Sequence, residues 1–88
     1  MSDLLIQPET LIGAAEEFDQ AGKDLLAILK KLDETTGNLK DEWEGAAQQV
    51  FYKQYLELRQ YMEGFTILLG NISTEMSAMA ERYDKADH

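Results

Sequence analysis

Two long stretches of the chain carry apolar residues in a 4-then-3 spacing, and a short polar break separates them. In the first, Leu11, Phe18, Leu25, Leu32 and Leu39 recur every seventh residue, and Ala15, Gly22, Leu29, Thr36 and Trp43 each follow by four. In the second, the seven-residue series is Phe51, Leu58, Phe65, Ile72 and Met79. Tyr55, Met62, Leu69, Met76 and Tyr83 follow it by four. This spacing puts the apolar residues on one helical face and is the pattern of a coiled-coil-like seam. It predicts helices over about 8–43 and about 47–85. Each would be roughly 50 Å long at about 1.5 Å per residue.

Local signals agree with those bounds. Residues 1–7 read as a short flexible lead. Pro8 suits the first helical position, where its missing N–H would be unpaired anyway, and Glu9 complements the helix N-terminal dipole. Gln7 is a weak cap. Thr35-Thr36-Gly37-Asn38 and Gly70-Asn71 read locally as turns. The apolar stripe keeps its phase across both, so each helix is expected to run through. At the centre lies Asp41-Glu42-Trp43-Glu44-Gly45. Trp43 closes the first stripe, and Gly45 can take the left-handed conformation that ends a helix. The tip of a hairpin is therefore expected at about 44–46.

Folding the chain there places Trp43 near Phe51, Leu25 near Leu69 and Leu11 near Tyr83. Large then faces small, with Ala15 against Met79 and Gly22 against Ile72. That complementarity supports an antiparallel hairpin with a crossing near +20°. Gly22 would let the helices approach closely. The expected core, shared by hairpin and dimer, is Leu11, Phe18, Leu25, Leu29, Leu32, Leu39, Phe51, Tyr55, Leu58, Met62, Phe65, Leu69, Ile72 and Met76.

A lone two-helix hairpin has no enclosed core, and chains of this size are marginal even when compact. Further apolar residues flank the main stripe: Ile12, Ala14, Ala21, Leu26 and Ile28 on the first helix, Tyr61 and Leu68 on the second. They predict a second apolar face that packs on another hairpin. The expected architecture is all-α: one domain spanning 1–88, an antiparallel two-helix hairpin dimerising into a four-helix bundle.

Composition narrows the function classes. The chain has 17 acidic and 8 basic residues, a net charge of −9. That field disfavours nucleic acid and anionic lipid as partners. No apolar run approaches the ~18 residues of a membrane span, so stable membrane insertion is not expected. Met1-Ser2-Asp3-Leu4-Leu5-Ile6 lacks the basic and long apolar regions of a cleaved signal peptide. With no cysteine, there is no disulfide, thiolate ligand or cysteine nucleophile. The single His is terminal His88, read as part of a solvated tail with Asp84 and Asp87. There is no phosphate loop and no internal His to act as a base. The acidic pairs Glu16-Glu17, Asp33-Glu34 and Asp41-Glu42 are expected mainly on the outer face, holding solvent. Met62, Met76 and Met79 fall on the core stripe. No catalytic residue, cofactor or metal site is predicted, and the chain is not expected to be an enzyme.

Two amphipathic helices joined by a central Trp43-Glu44-Gly45 resemble the WXG100 (ESAT-6-like) family. Ala47 and Phe51 fit the small residue and the aromatic that follow its tripeptide. Tyr83-Asp84-Lys85-Ala86-Asp87 fits its C-terminal Tyr-x-x-x-Asp/Glu export motif. The resemblance covers nearly the whole chain. It implies a small substrate of a type VII (ESX) secretion system, exported folded as a dimer by a motor ATPase and secreted without a cleaved signal peptide. Its partner would be a second copy, in a homodimer, or a WXG100-like chain. The implied export and recognition residues are Trp43, Gly45, Tyr83 and Asp87, which an antiparallel dimer would bring together across its interface. The sequence stops one residue after Asp87, whereas many relatives carry a longer tail. Two other readings share the same apolar face: an adaptor that pairs with a larger type VII toxin, and a plain structural coiled-coil module.

Overall fold

A computed structural model describes residues 6–86. Two helices, α1 (Pro8–Lys40) and α2 (Ala46–Ala86), form an antiparallel hairpin of 65 × 18 × 15 Å. Helix α1 starts as its sequence suggests. Gln7 is extended, makes no side-chain cap, and leaves Pro8 in the first turn. The Gln7 carbonyl accepts from the N–H groups of Thr10 and Leu11 at 3.0 and 3.3 Å. Both helices run unbroken through their suspected weak spots. Thr36 is buried on the stripe, 7% exposed, and the Thr35 hydroxyl donates back to the Lys31 carbonyl at 3.1 Å.

The tip departs from expectation. Helix α1 ends at Lys40, not at Trp43, so the tryptophan lies in the connection. The Glu42 N–H donates to the Leu39 carbonyl at 3.1 Å and closes the last turn. Asp41, Glu42 and Glu44 explain the early stop: carboxylates at a helix C-terminus oppose the dipole. Gly45 does adopt a positive φ, 99°, the one such residue among those described. Its place is the entry to α2, not the exit from α1, and its carbonyl accepts from the Gln49 N–H at 3.2 Å.

The register also differs from the size-matched one. A methyl on Gly22 would meet Leu69 Cβ and the Thr66 carbonyl, each at 3.8 Å. Ala15 lies beside Ser73, whose hydroxyl donates to the Ala15 carbonyl at 2.7 Å. Gly22 thus packs on Leu69 and Thr66 where Ile72 was expected, and Ala15 meets Ser73 where Met79 was expected.

The contact row runs through Leu11, Ala15, Gly22, Leu29 and Thr36 on α1, and through Tyr55, Leu69 and Ala80 on α2. Residues four beyond this row face one side of the hairpin. Asp33, four after Leu29, meets Arg59, four after Tyr55. Residues three beyond the row must then share the opposite side. That side carries Phe18, Leu25, Leu32 and Leu39 with Leu58, Phe65 and Ile72. One side therefore holds the Asp33–Arg59 pair, with Leu26 and Leu56 exposed beside it, and the other holds the apolar seven-residue series. The seven-residue series is rotated toward the apolar side of the hairpin. Leu39, Leu58 and Phe65 are exposed in the hairpin, Phe65 at 56%. Phe18, Leu25, Leu32, Phe51, Met62, Ile72 and Met76 are half-buried, and Leu11, Leu29, Tyr55 and Leu69 are buried.

Candidate functional site

The tip presents an aromatic ladder. Trp43 is half-buried and its ring lies 5.3 Å from that of Phe51, tilted by 40°. Phe51 in turn stacks on Tyr55, one helical turn along α2, at 6.3 Å and 15°. Both separations fall in the favourable range for aromatic pairs. Beside the ladder, the Lys40 ammonium sits 4.5 Å above the Tyr52 ring, a cation–π contact.

Tyr55 connects this ladder to a polar cluster between the helices. Its hydroxyl donates to Asp33 Oδ1. Arg59 Nε donates to the same oxygen at 3.1 Å, and Arg59 Nη2 donates to Asp33 Oδ2 at 3.1 Å. This bidentate pairing fixes orientation as well as charge. Arg59 Nη1 pairs with Glu63. The Arg59 guanidinium, then the Tyr55 hydroxyl, hold the Asp33 carboxyl below its usual range. Burial, then the Asp33 carboxylate, push the Tyr55 phenol up. The Asp33 hydrogen bond raises Arg59 further above an already high value. An ionised carboxylate with both oxygens engaged is a poor general base; it is well built to hold two helices in register.

Sequence reasoning placed Asp33 on the solvated outer face and missed this cluster. The signal lay in the spacing: Asp33 follows Leu29 by four, and Arg59 follows Tyr55 by four. Among the described residues, no group of His, Cys, Asp and Glu is arranged to hold a metal ion. No described helix is long and apolar enough to cross a membrane.

Of the candidate export residues, Trp43, Gly45 and Tyr83 do not converge within one chain. Trp43 and Gly45 occupy the tip. Tyr83 is half-buried near the end of α2, which puts it about 55 Å from the start of that helix at about 1.5 Å per residue. Asp87 and His88 lie outside the described residues, as do residues 1–5 of the expected lead.

Known proteins are similar to this chain in sequence, and solved structures are similar to it in fold. Type VII secretion system extracellular protein A of Staphylococcus aureus is 25% identical over 87 residues, spanning 99% of this chain and 90% of that protein. An uncharacterized protein of Clostridium acetobutylicum is 24% identical over 87 residues, spanning 99% and 91%. Among solved structures, the secreted protein EsxB of Bacillus anthracis superposes with a TM-score of 0.88 at 26% identity, covering 94% of each chain. Geobacillus thermodenitrificans EsxA gives 0.86 at 28% identity, covering 94% of this chain and 90% of that one. The sequence model of the WXG100 family, proteins of 100 residues with WXG, matches residues 3–88, and with Trp43-Glu44-Gly45 at the tip of its helical hairpin this chain belongs to that family.

Proposed function

We propose that this chain is a non-enzymatic substrate of a type VII secretion system, made in the cytoplasm and exported as a folded homodimer. The observation that carries the dimer is the apolar face formed by the seven-residue series. Phe65, Leu58 and Leu68 are exposed on it together with Tyr61, which is 77% exposed. Among the described residues no large side chain is fully buried. Packing two such faces would enclose a four-helix core and remove that apolar patch from water. The type VII extracellular relative supports the route.

The export surface would combine Trp43 and Gly45 at the tip of one protomer with Tyr83 and Asp87 of the other. An antiparallel dimer sets those ends side by side, where a secretion motor ATPase would dock on them. The test is to follow the chain in culture medium with and without that ATPase. The proposal expects intact chain in the medium only when the motor is present. Motor-independent release would contradict it, and export only alongside a larger toxin would favour the adaptor role.

A further inference from the structure

The apolar stripes alone do not fix how the two helices are aligned. Both repeat every seven residues, so a slide of one heptad brings like against like. Size matching selects a register with Gly22 on Ile72. The structure has Gly22 on Leu69, about one turn away.

We propose that Asp33, Tyr55 and Arg59 are positioning residues that select this register and thereby seat Trp43 on Phe51 at the tip. Cross-helix side-chain hydrogen bonds are made by this cluster and by the Ser73 hydroxyl to the Ala15 carbonyl. In the observed register Asp33 receives the fork of Arg59. One turn further along α2, on the same side, stands Glu63. A one-turn slip would begin to exchange a bidentate cation for a carboxylate. A slip of one heptad would offer Asp33 either Thr66 or Tyr52 in place of Arg59. A half-buried polar residue that fixes register in a repetitive seam is the best-attested use of such groups.

The link to the tip is direct. Tyr55 carries the hydroxyl that binds Asp33 and the ring that stacks on Phe51, and Phe51 carries Trp43. A slip of one heptad, roughly 10 Å along the seam at about 1.5 Å per residue, would carry Phe51 away from Trp43. The tryptophan would then leave its seat. The role of that seat in export rests on the functional reading above; the register selection does not.

The chain has no cysteine, so engineered pairs can report register cleanly. A Cβ on Gly22 would lie 3.8 Å from Leu69 Cβ, close to the mean for a disulfide of about 3.8 Å. In the otherwise native chain, Gly22→Cys with Leu69→Cys should cross-link efficiently. Gly22→Cys with Met76→Cys, one heptad along, should not. Adding Asp33→Asn should raise cross-linking of the second pair several-fold, lower that of the first, and red-shift the Trp43 emission. Exchanging the charges, Asp33→Arg with Arg59→Asp, should restore the native pattern. If Asp33→Asn folds too poorly to assay, Tyr55→Phe provides the milder lesion and should move both readouts in the same direction. Unchanged cross-linking and unchanged Trp43 emission in a variant that merely melts earlier would overturn the proposal. Normal export of a chain that has demonstrably slipped would contradict the docking role of Trp43 and leave the register selection standing.

Discussion

The Tyr55 hydroxyl donates a hydrogen bond to the Asp33 carboxylate across the two helices, on the side of the hairpin opposite Leu58 and Phe65. Arg59 completes that carboxylate's coordination. One side of the seam is thus closed by specific polar bonds, and the other is left open and apolar.

The Asp33 contacts carry a pH dependence of definite sign. The folded value lies below the ordinary 3.8. Near that pH the unfolded chain therefore binds more protons than the folded one. The stabilisation is complete above the ordinary value and fades as pH falls through the lowered one. Thermal melts of the native chain and of Asp33→Asn should differ at neutral pH and converge in strong acid. Tyr55 acts at the other end: its phenol is raised above 10.0, so its share is present below that value and lost as pH climbs through the raised one.

The two structurally informative glycines should respond in opposite directions. A methyl at Gly22 meets its nearest neighbours at 3.8 Å, ordinary contact distance. Gly22→Ala should therefore stabilise the hairpin by about 0.5–1 kcal/mol through lower unfolded-state entropy. At Gly45, φ is 99°, and a side chain there should cost about 1–2 kcal/mol. Denaturant unfolding of Gly22→Ala and Gly45→Ala measures both; a destabilised Gly22→Ala would mean that the helices approach more closely than described.

Truncating core and face residues should separate hairpin from dimer. Leu29 is 5% exposed inside the hairpin, so Leu29→Ala should cost roughly 2–5 kcal/mol. Half-buried Leu25 flanks the open face and should show a loss of the same kind. Phe65→Ala removes little from the hairpin itself. Its effect should emerge as weaker association, with a melting temperature more dependent on protein concentration. Light scattering at micromolar concentration should give twice the chain mass for the native protein and a shift toward the monomer for Phe65→Ala. A stable native monomer in the absence of any partner would refute the homodimer.

The two-helix hairpin was legible from the 4-then-3 stripe, because that spacing survives both suspected turns. The left-handed Gly45 was legible from its residue type. The rotation of the contact row was not. Leu25 and Leu29 are equally apolar in the sequence, and the cross-helix bonds of Asp33 and Ser73 that accompany the rotation toward Leu29 have no counterpart in the apolar pattern. The early end of α1 at Lys40 was obscured by Trp43, which continues the stripe in sequence while lying beyond the helix in space. Of the proposed export residues, Trp43 and Tyr83 were legible as motif positions. That they lie at opposite ends of one chain follows from the length of α2.

The most direct test is export of Trp43→Ala, Tyr83→Ala and Asp87→Ala, each compared with the native chain in cells that contain the secretion motor. The Tyr83 and Asp87 variants should remain folded dimers in the cytoplasm and be lost from the medium. Trp43→Ala should do the same, with some loss of stability from its missing contact on Phe51. All three variants folded and secreted at the native level would contradict the composite export surface.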